Sequence, residues 1–114
     1  MPKNQSKAIL TVNVTASAAI TANRFVTAGG ALAAANSNPI GVARTAAASG
    51  ELFAADVVGI TTCIASAAIA DNARLNVAAN GQVVTASSTH PVVGIALGAA
   101  TAAGHEVTVL LIQT

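Results

Sequence analysis

The fold is decided by residues 74–85, which have the sequence RLNVAANGQVVT. Two short runs of apolar and β-branched residues flank the dipeptide Asn80-Gly81. Asn-Gly is a strong hairpin signal, because both residues tolerate the positive φ angles of a type I′ turn. The stretch therefore predicts a β-hairpin. Ala28–Gly30 occupies the same place in the first half of the chain, so Gly30 and Gly81 are the predicted turn residues.

Further strands are predicted from short apolar runs at residues 24–27, 40–44 and 92–97. Each of the last two directly follows a proline, Pro39 or Pro91, which is tolerated at the start of a strand. In residues 106–112 apolar and polar residues alternate at first, but Leu110 and Ile112 then make the second face apolar too. This run predicts a strand buried on both faces. The Ala-rich segments 45–49 and 98–103 are too short to hold a helix without packing, and each is predicted to form turns or one helical turn.

The chain also repeats itself, which predicts two duplicated units of about 50 residues. The matched landmarks occur in one order: ASAAI at 16–20 and 65–69, Arg24 and Arg74, Gly30 and Gly81, Gly41 and Gly94, Glu51 and Glu106. We expect units 10–59 and 60–114 to form a single, mainly β domain that is barrel- or tulip-like. Residues 1–9 are expected to be a flexible N-terminal arm. Because residues 16–20 have a copy deep in the chain, the first apolar run is expected to be structural rather than a signal peptide.

Composition narrows the range of partners. Charged residues make up 8% of the chain, the formal net charge is +1, and no patch of either sign exists. The chain has no Trp and no Tyr, so it has few aromatic side chains that could stack on nucleobases or sugars. Nucleic acid and anionic membrane are therefore disfavoured as partners. So few charges on so apolar a chain indicate that part of its surface is covered by a partner.

No catalytic arrangement is evident in the sequence. The carboxylates lie in four different segments, at Glu51, Asp56, Asp71 and Glu106. A Ser-x-Gly elbow, a phosphate-binding loop and an HExxH motif are all missing from the sequence. His105 and Glu106 are adjacent, so a strand would point them to opposite faces. His90 precedes Pro91 and is expected in a loop.

The single cysteine, Cys63, excludes an internal disulfide and a thiolate zinc site. It lies in the apolar run 60–64 and is predicted to be a buried, inert thiol. We therefore predict that the protein is not an enzyme and holds no cofactor and no metal.

Four charged residues are related by the repeat: Arg24 and Arg74, and Glu51 and Glu106. Two equivalent structural ion pairs are one interpretation, and solvated strand faces are another. A contact with a partner is the functional interpretation.

The order of these features resembles the capsid cement, or head-decoration, proteins of tailed phages. The resemblance rests on PIGVA at 39–43 with Gly50-Glu51, and on VGIAL at 93–97 with residues 99–104 and 107–111. It covers roughly residues 8–114. It implies a β-rich domain that binds the outer surface of the assembled major capsid lattice, often as a homotrimer. It also implies reinforcement of the head against internal DNA pressure without catalysis.

The resemblance further implies a location on the outside of the virion after synthesis in the host cytoplasm. In lambda-type relatives the N-terminal arm becomes ordered on the capsid, so the resemblance makes Lys3, Asn4, Gln5 and Lys7 candidate capsid contacts. The first alternative is a self-assembling tail or fibre component of similar composition. A secreted sugar-binding module is a second alternative, which the lack of Trp and Tyr opposes.

Overall fold

The computed structural model describes residues 7–35, 37, 39–86 and 92–112. These residues form eight strands and one short 3-10 turn. The strands are β1 (Lys7–Thr15), β2 (Phe25–Val26), β3 (Gly41–Ala43), β4 (Leu52–Ile64), β5 (Arg74–Val77), β6 (Val83–Thr85), β7 (Gly94–Ala96) and β8 (Glu106–Leu111), and the 3-10 turn is Ala79–Gly81. The prediction of a mainly β domain is confirmed. None of the described residues belongs to a helix with the length and apolar character of a membrane span.

The strands pair antiparallel in one sheet, in the order β2-β3-β4-β8-β7-β5-β6. The strand β4 has 13 residues and is bonded on both edges. On one edge it pairs with β1 between Leu52 and Ile60. On the other edge it meets β3 at residues 55–56 and β8 at residues 60–64. β4 therefore joins the first half of the chain to the second.

The two longest strands, β1 and β4, were not among the strands predicted from the sequence. β4 runs across the predicted boundary between residues 59 and 60, so both halves share it. β1 begins at Lys7, and residues 7–9 therefore lie in the sheet rather than in the predicted arm. Residues 1–6 lie outside the described part of the chain.

The hairpin at residues 74–85 forms as its sequence predicts. Leu75 pairs with Thr85 and Val77 with Val83. Asn80 has φ 59° and Gly81 has φ 73°, as a type I′ turn requires, and Gln82 N donates to Ala79 O at 3.3 Å. In the first half, Gly30 has φ 88° in a turn in which its N–H donates to Thr27 O at 3.1 Å.

A sharp bend divides β4 near Gly59, whose φ is 118°. The pairing of β1 with β4 is irregular at the same place, between Ala8 and Thr11. Thr61 Oγ1 donates to Asp56 Oδ2 at 3.0 Å across the bend. In a straight strand five residues span about 16 Å, so this bond requires the bend. The buried carboxylate thus holds two segments of one strand together.

Two clusters of buried side chains form the core. The N-terminal cluster consists of Val14, Ala16, Ile20, Val26, Ala43, Ala47, Phe53 and Ala55. The C-terminal cluster consists of Phe25, Ala33, Val42, Cys63, Ala65, Ile69, Leu75, Val77, Val83, Val93, Ala96, Ala100, Val107 and Val109. Since Val26 and Ala43 belong to one cluster while their neighbours Phe25 and Val42 belong to the other, β2 and β3 lie between the two clusters.

Backbone hydrogen bonds recur at matching places in the two halves. Ala16 N donates to Glu51 O at 2.8 Å, and in the second half Ala65 N donates to His105 O at 2.9 Å. In the same way, Asn23 N donates to Ala43 O at 2.8 Å and Asn72 N donates to Ala96 O at 2.9 Å. The bridge between Ile20 and Ala47 corresponds to the bridge between Ile69 and Ala100. By this alignment each residue of the N-terminal cluster has a counterpart in the C-terminal cluster. The matching bonds support the predicted repeat, and an ancestral duplication stays a prediction.

The hydrogen bonds correct three of the landmark pairs. Ala43 N donates to Arg24 O, and Ala96 N donates to Ala73 O, so Arg24 matches Ala73 rather than Arg74. The bonds given above match Glu51 with His105 rather than with Glu106. Ser17 N bonds to Gly30 O and Ser66 N to Val83 O, so Gly30 does not match Gly81. In an alanine-rich sequence, similar residues that lie one or two positions apart are easily matched in the wrong register.

The turn glycine Gly81 is constrained twice, by its positive φ and by a close approach to the carbonyl oxygen of Phe25. Gly50 has φ 91° with no atom near the place of a Cβ, so it isolates the first effect. We expect Gly50→Ala to lower the free energy of unfolding by about 1 kcal/mol. Gly81→Ala should lower it clearly more, because the methyl group would collide with backbone. Urea unfolding of both variants tests this, and equal losses would contradict the close approach.

Candidate interaction surface

An apolar row crosses β7, β8 and β4 on the face of the sheet that is turned away from the C-terminal cluster, which we call the outer side. Ile95 pairs with Leu110, and Leu110 pairs with Ile60. Directly paired residues point to the same face of a sheet. Leu110 is 39% exposed, whereas Ile60 and Ile95 are half-buried. Ile64, on the same side of β4, is half-buried too. We call Ile60, Ile64, Ile95 and Leu110 the open face.

The matching row in the first half is covered. By the alignment of the hydrogen bonds, Ile95 matches Val42 and Leu110 matches Asp56. Val42 is fully buried in the C-terminal cluster, and Asp56 is 2% exposed. The outer side of the first half therefore packs against the second half. On the outer side of the second half, Leu110 is 39% exposed, whereas Thr62, which lies between Ile60 and Ile64 on the same face of β4, is buried.

The sequence-based prediction for residues 106–112 is thus wrong on one face. Val107 and Val109 are buried in the C-terminal cluster, as expected. Leu110 faces solvent in the isolated chain instead of a second core. Apolar residues on both faces of a strand indicate that both faces are more stable when covered, but they do not show what covers each face.

Two further leucines are exposed, Leu10 at 49% and Leu52 at 67%. Leu10 pairs with Val58 beside the bend of β4, and Leu52 pairs with Thr15 at the far end of β4. The described surface therefore offers apolar side chains at several separate places on a weakly charged molecule.

The four repeat-related charges do not form the two structural ion pairs that were one interpretation of the sequence. Arg24 Nη1 donates to Asn80 O at 3.3 Å, and Glu51 Oε1 accepts from Ala48 N at 2.8 Å. Arg74 and Glu106 are exposed and form no ion pair with each other. Among the described side chains, the ion pair that does form joins Arg44 Nε to Asp56 Oδ1 at 3.4 Å.

Of the candidate capsid contacts, Lys3, Asn4 and Gln5 lie outside the described residues, as does His90. Lys7 is the first residue of β1 and pairs with Ile60 of β4. His105 is exposed, and its Nδ1 lies 3.0 Å from Thr101 Oγ1. Within the described ranges, no three His, Cys, Asp or Glu side chains are close enough to hold a metal ion.

Asp56 is the centre of a polar group inside the sheet. Its carboxylate accepts hydrogen bonds from Thr11 Oγ1 at 3.3 Å and from Thr61 Oγ1 at 3.0 Å, beside the ion pair with Arg44. Thr62, which follows Thr61 in the chain, is also buried, and its Oγ1 has no hydrogen-bond partner among the described residues. A sequence reading could not find this group, because its members are far apart in the chain.

Cys63 is fully buried in the C-terminal cluster. Burial, and to a smaller extent the charge of Asp56, raise the pKa of the Cys63 thiol far above its ordinary value. The thiolate is the reactive form of cysteine, so this thiol is inert in the folded protein.

A family model described as phage cement protein matches residues 4–111. The chain belongs to the phage cement protein family. It is a head-associated structural protein of a bacteriophage virion, and its family is a structural family rather than an enzyme family.

Among solved structures, the chain is similar to the N base of the head fiber gp8.5 in bacteriophage phi29. The TM-score is 0.77 at 22% sequence identity, over 90% of this chain and 93% of that chain. At this identity the likeness shows a common fold. No curated protein matches the chain.

Two neighbouring threonines should respond in opposite ways to the same substitution. Thr61→Val removes a donor from the buried Asp56 carboxylate, so we expect the free energy of unfolding to fall by about 1–3 kcal/mol. Thr62→Val replaces an unpaired buried hydroxyl by a methyl group of similar size, so it should be neutral or stabilise by up to about 1 kcal/mol. Urea unfolding measures the change in both variants. Equal losses in the free energy of unfolding would show that the hydrogen bond from Thr61 to the Asp56 carboxylate does not stabilise the fold.

The buried thiol should make the protein less stable in alkali. Because the folded-state pKa of Cys63 is raised, the folded chain keeps a proton that the unfolded chain releases above about pH 8.5. The free energy of unfolding should then fall by up to about 1.4 kcal/mol for each further pH unit. Between about pH 8 and 10, the loss should be smaller in Cys63→Ala. Urea unfolding of both proteins across this pH range tests the prediction. If the free energy of unfolding fell equally with pH in both, the raised pKa of Cys63 would be contradicted.

Proposed function

We propose that this protein binds the outer surface of the assembled major capsid lattice and stabilises the head against the pressure of packaged DNA. Membership of the cement family over residues 4–111 is the observation that carries the proposal. The protein is made in the host cytoplasm and acts on the outside of the head, as a homotrimer whose partner is the major capsid protein.

The surface of the chain suits such a role. Its exposed leucines, Leu10, Leu52 and Leu110, can be covered without removing many charged groups from water. Each contact with the capsid is small, but an oligomer on a rigid lattice makes many contacts at once. Effective concentration then turns weak single contacts into stable occupancy.

The polar N-terminus supplies further contacts in this proposal. Lys3, Asn4 and Gln5 precede the sheet, and Lys7 begins it. On the capsid, residues 1–6 bind the major capsid protein beside the edge strand β1. Because β1 starts at Lys7, a truncation that ends at Ser6 leaves the paired strand whole.

Co-sedimentation with capsids tests the proposal directly. We expect the protein to bind mature, expanded capsids that lack it, and to bind soluble capsid subunits hardly at all. Binding should change little between about 50 and 500 mM salt, unlike binding driven by phosphate contacts. Bound capsids should also release their DNA at a higher temperature than bare capsids.

The matched control is the chain without residues 1–6. It should unfold at the same urea concentration as the full chain but reach lower occupancy on the capsid. Equal occupancy would reject the role of the N-terminus alone. Fibrils formed by the purified protein, with no capsid binding, would reject the cement function and favour the fibre alternative.

A further inference from the structure

A loop of the first half caps a strand edge of the second half. Asn23 has φ 63°, and its carbonyl oxygen accepts a hydrogen bond from Ile64 N, at the end of β4, at 3.2 Å. Ala65 N, the next donor along the chain, bonds instead to His105 O, on the side of β8. Successive N–H groups point to opposite edges of a strand. The loop at Asn23 therefore satisfies a donor on the edge of β4 that faces away from β8.

The second half carries the same loop in a more exposed place. Asn72 has φ 67°, close to that of Asn23, and its N–H donates to Ala96 O at 2.9 Å. The N–H of Asn23 donates to the matching Ala43 O at 2.8 Å. Asn72 is exposed, however, whereas Asn23 is half-buried. Within the described ranges no group donates a hydrogen bond to Asn72 O, so this loop has the geometry of the first but caps no strand edge there.

The strand edge that matches Ile64 also has a free donor. By the alignment of the hydrogen bonds, Ile64 matches Thr15, the exposed last residue of β1. Ala16 N, the next donor along the chain, bonds to Glu51 O, so Thr15 N points away from β4. Among the described residues, no group accepts a hydrogen bond from Thr15 N. An unpaired N–H on an edge strand is a place where another chain can add.

The two edges are alike at the next outward donor. Ser17 N donates to Gly30 O at 2.9 Å, and Ser66 N donates to Val83 O at 2.8 Å. The edges differ at the donor two residues earlier. In the second half it is bonded to the Asn23 loop, and in the first half it has no partner in the described part of the chain. The chain thus presents one capping loop and one matching edge that do not meet each other.

We propose that the loop at Asn72 of one copy caps the edge of β1 in the next copy, with Asn72 O accepting from Thr15 N. The contact repeats between chains the bond that Asn23 O forms with Ile64 N within one chain. It joins two different surfaces, so it is a head-to-tail contact and can close a ring of three copies. The inference rests on the proposed homotrimer and assigns its contact.

Thr15→Pro tests the edge, because it removes the outward N–H without removing a bond to β4. In sedimentation velocity of the free protein up to about 1 mM, the wild type should form species of up to three copies. Thr15→Pro should weaken association by at least about tenfold, since a hydrogen bond is lost and the ring blocks the edge. Thr15→Ala keeps the N–H and is the matched control; it should associate within about threefold of the wild type.

Asp71→Trp tests the loop, since residue 71 is exposed beside Asn72 and a large ring there blocks a close approach. This variant should also weaken association by at least about tenfold. A mixture of Thr15→Pro and Asp71→Trp should form dimers and nothing larger, because the intact loop of the first variant meets the intact edge of the second. Mixing would not restore a contact between two like surfaces. Urea unfolding of each variant shows that the fold is kept.

Four results would overturn the proposal: a monomeric wild type, species that grow beyond three copies, a loss in Thr15→Ala as large as in Thr15→Pro, or a mixture that stays monomeric. If a monomeric wild type binds capsids and Thr15→Pro does not, the capsid protein occupies the edge instead. A wild type that forms the ring but binds no capsid would reject the proposed function and leave this contact in place.

Discussion

The backbone hydrogen bonds of β4 connect every part of this sheet. β1, β3 and β8 bond to it directly, and β2 and β7 follow one strand further out. A single strand can serve both halves because it bends near Gly59. The bend brings Thr61 to the buried carboxylate of Asp56, which Arg44 and Thr11 also contact. A buried carboxylate is costly unless it is fully paired, so this group favours one geometry of the bend over others.

The same shared strand makes the two halves unequal although their backbones match. The outer side of the first half meets the C-terminal cluster, and its residues are accordingly apolar or are paired, as Val42 and Asp56 are. On the outer side of the second half, Leu110 is exposed although it is apolar. The longer β5–β6 hairpin contributes to the difference, because its tip reaches across to the first half.

Small side chains make such close layers practicable. Alanine fills many positions in both clusters, and backbone elements approach each other closely, as Gly81 does with Phe25. A wall of small residues buries little apolar area for each residue, so the isolated domain has a modest hydrophobic driving force. Association with a lattice or with further copies adds buried area that the single chain cannot supply. This agrees with the role of a head-associated structural protein.

Local chemistry was predictable from the sequence. The hairpin at Asn80-Gly81, the turns in the Ala-rich segments and the burial of Cys63 follow from turn preference, length and apolar context. β1 also carries a strand signal in its sequence, since Val12 and Val14 alternate with Thr11 and Asn13. β4 carried no clear period, because both of its edges are bonded and its faces change surroundings at the bend.

What the sequence alone determined was therefore the mainly β class, the turns, the low charge and the similarity to cement proteins. The tertiary structure decided which faces are covered and which charges meet. The sequence allowed two ion pairs among Arg24, Glu51, Arg74 and Glu106, but none of these residues forms an ion pair with another of them in the fold. Strand register places them, and register depends on pairings between residues far apart in the chain, which a linear pattern does not contain. For the same reason the exposure of Leu110 could be seen only once both halves were assembled around β4.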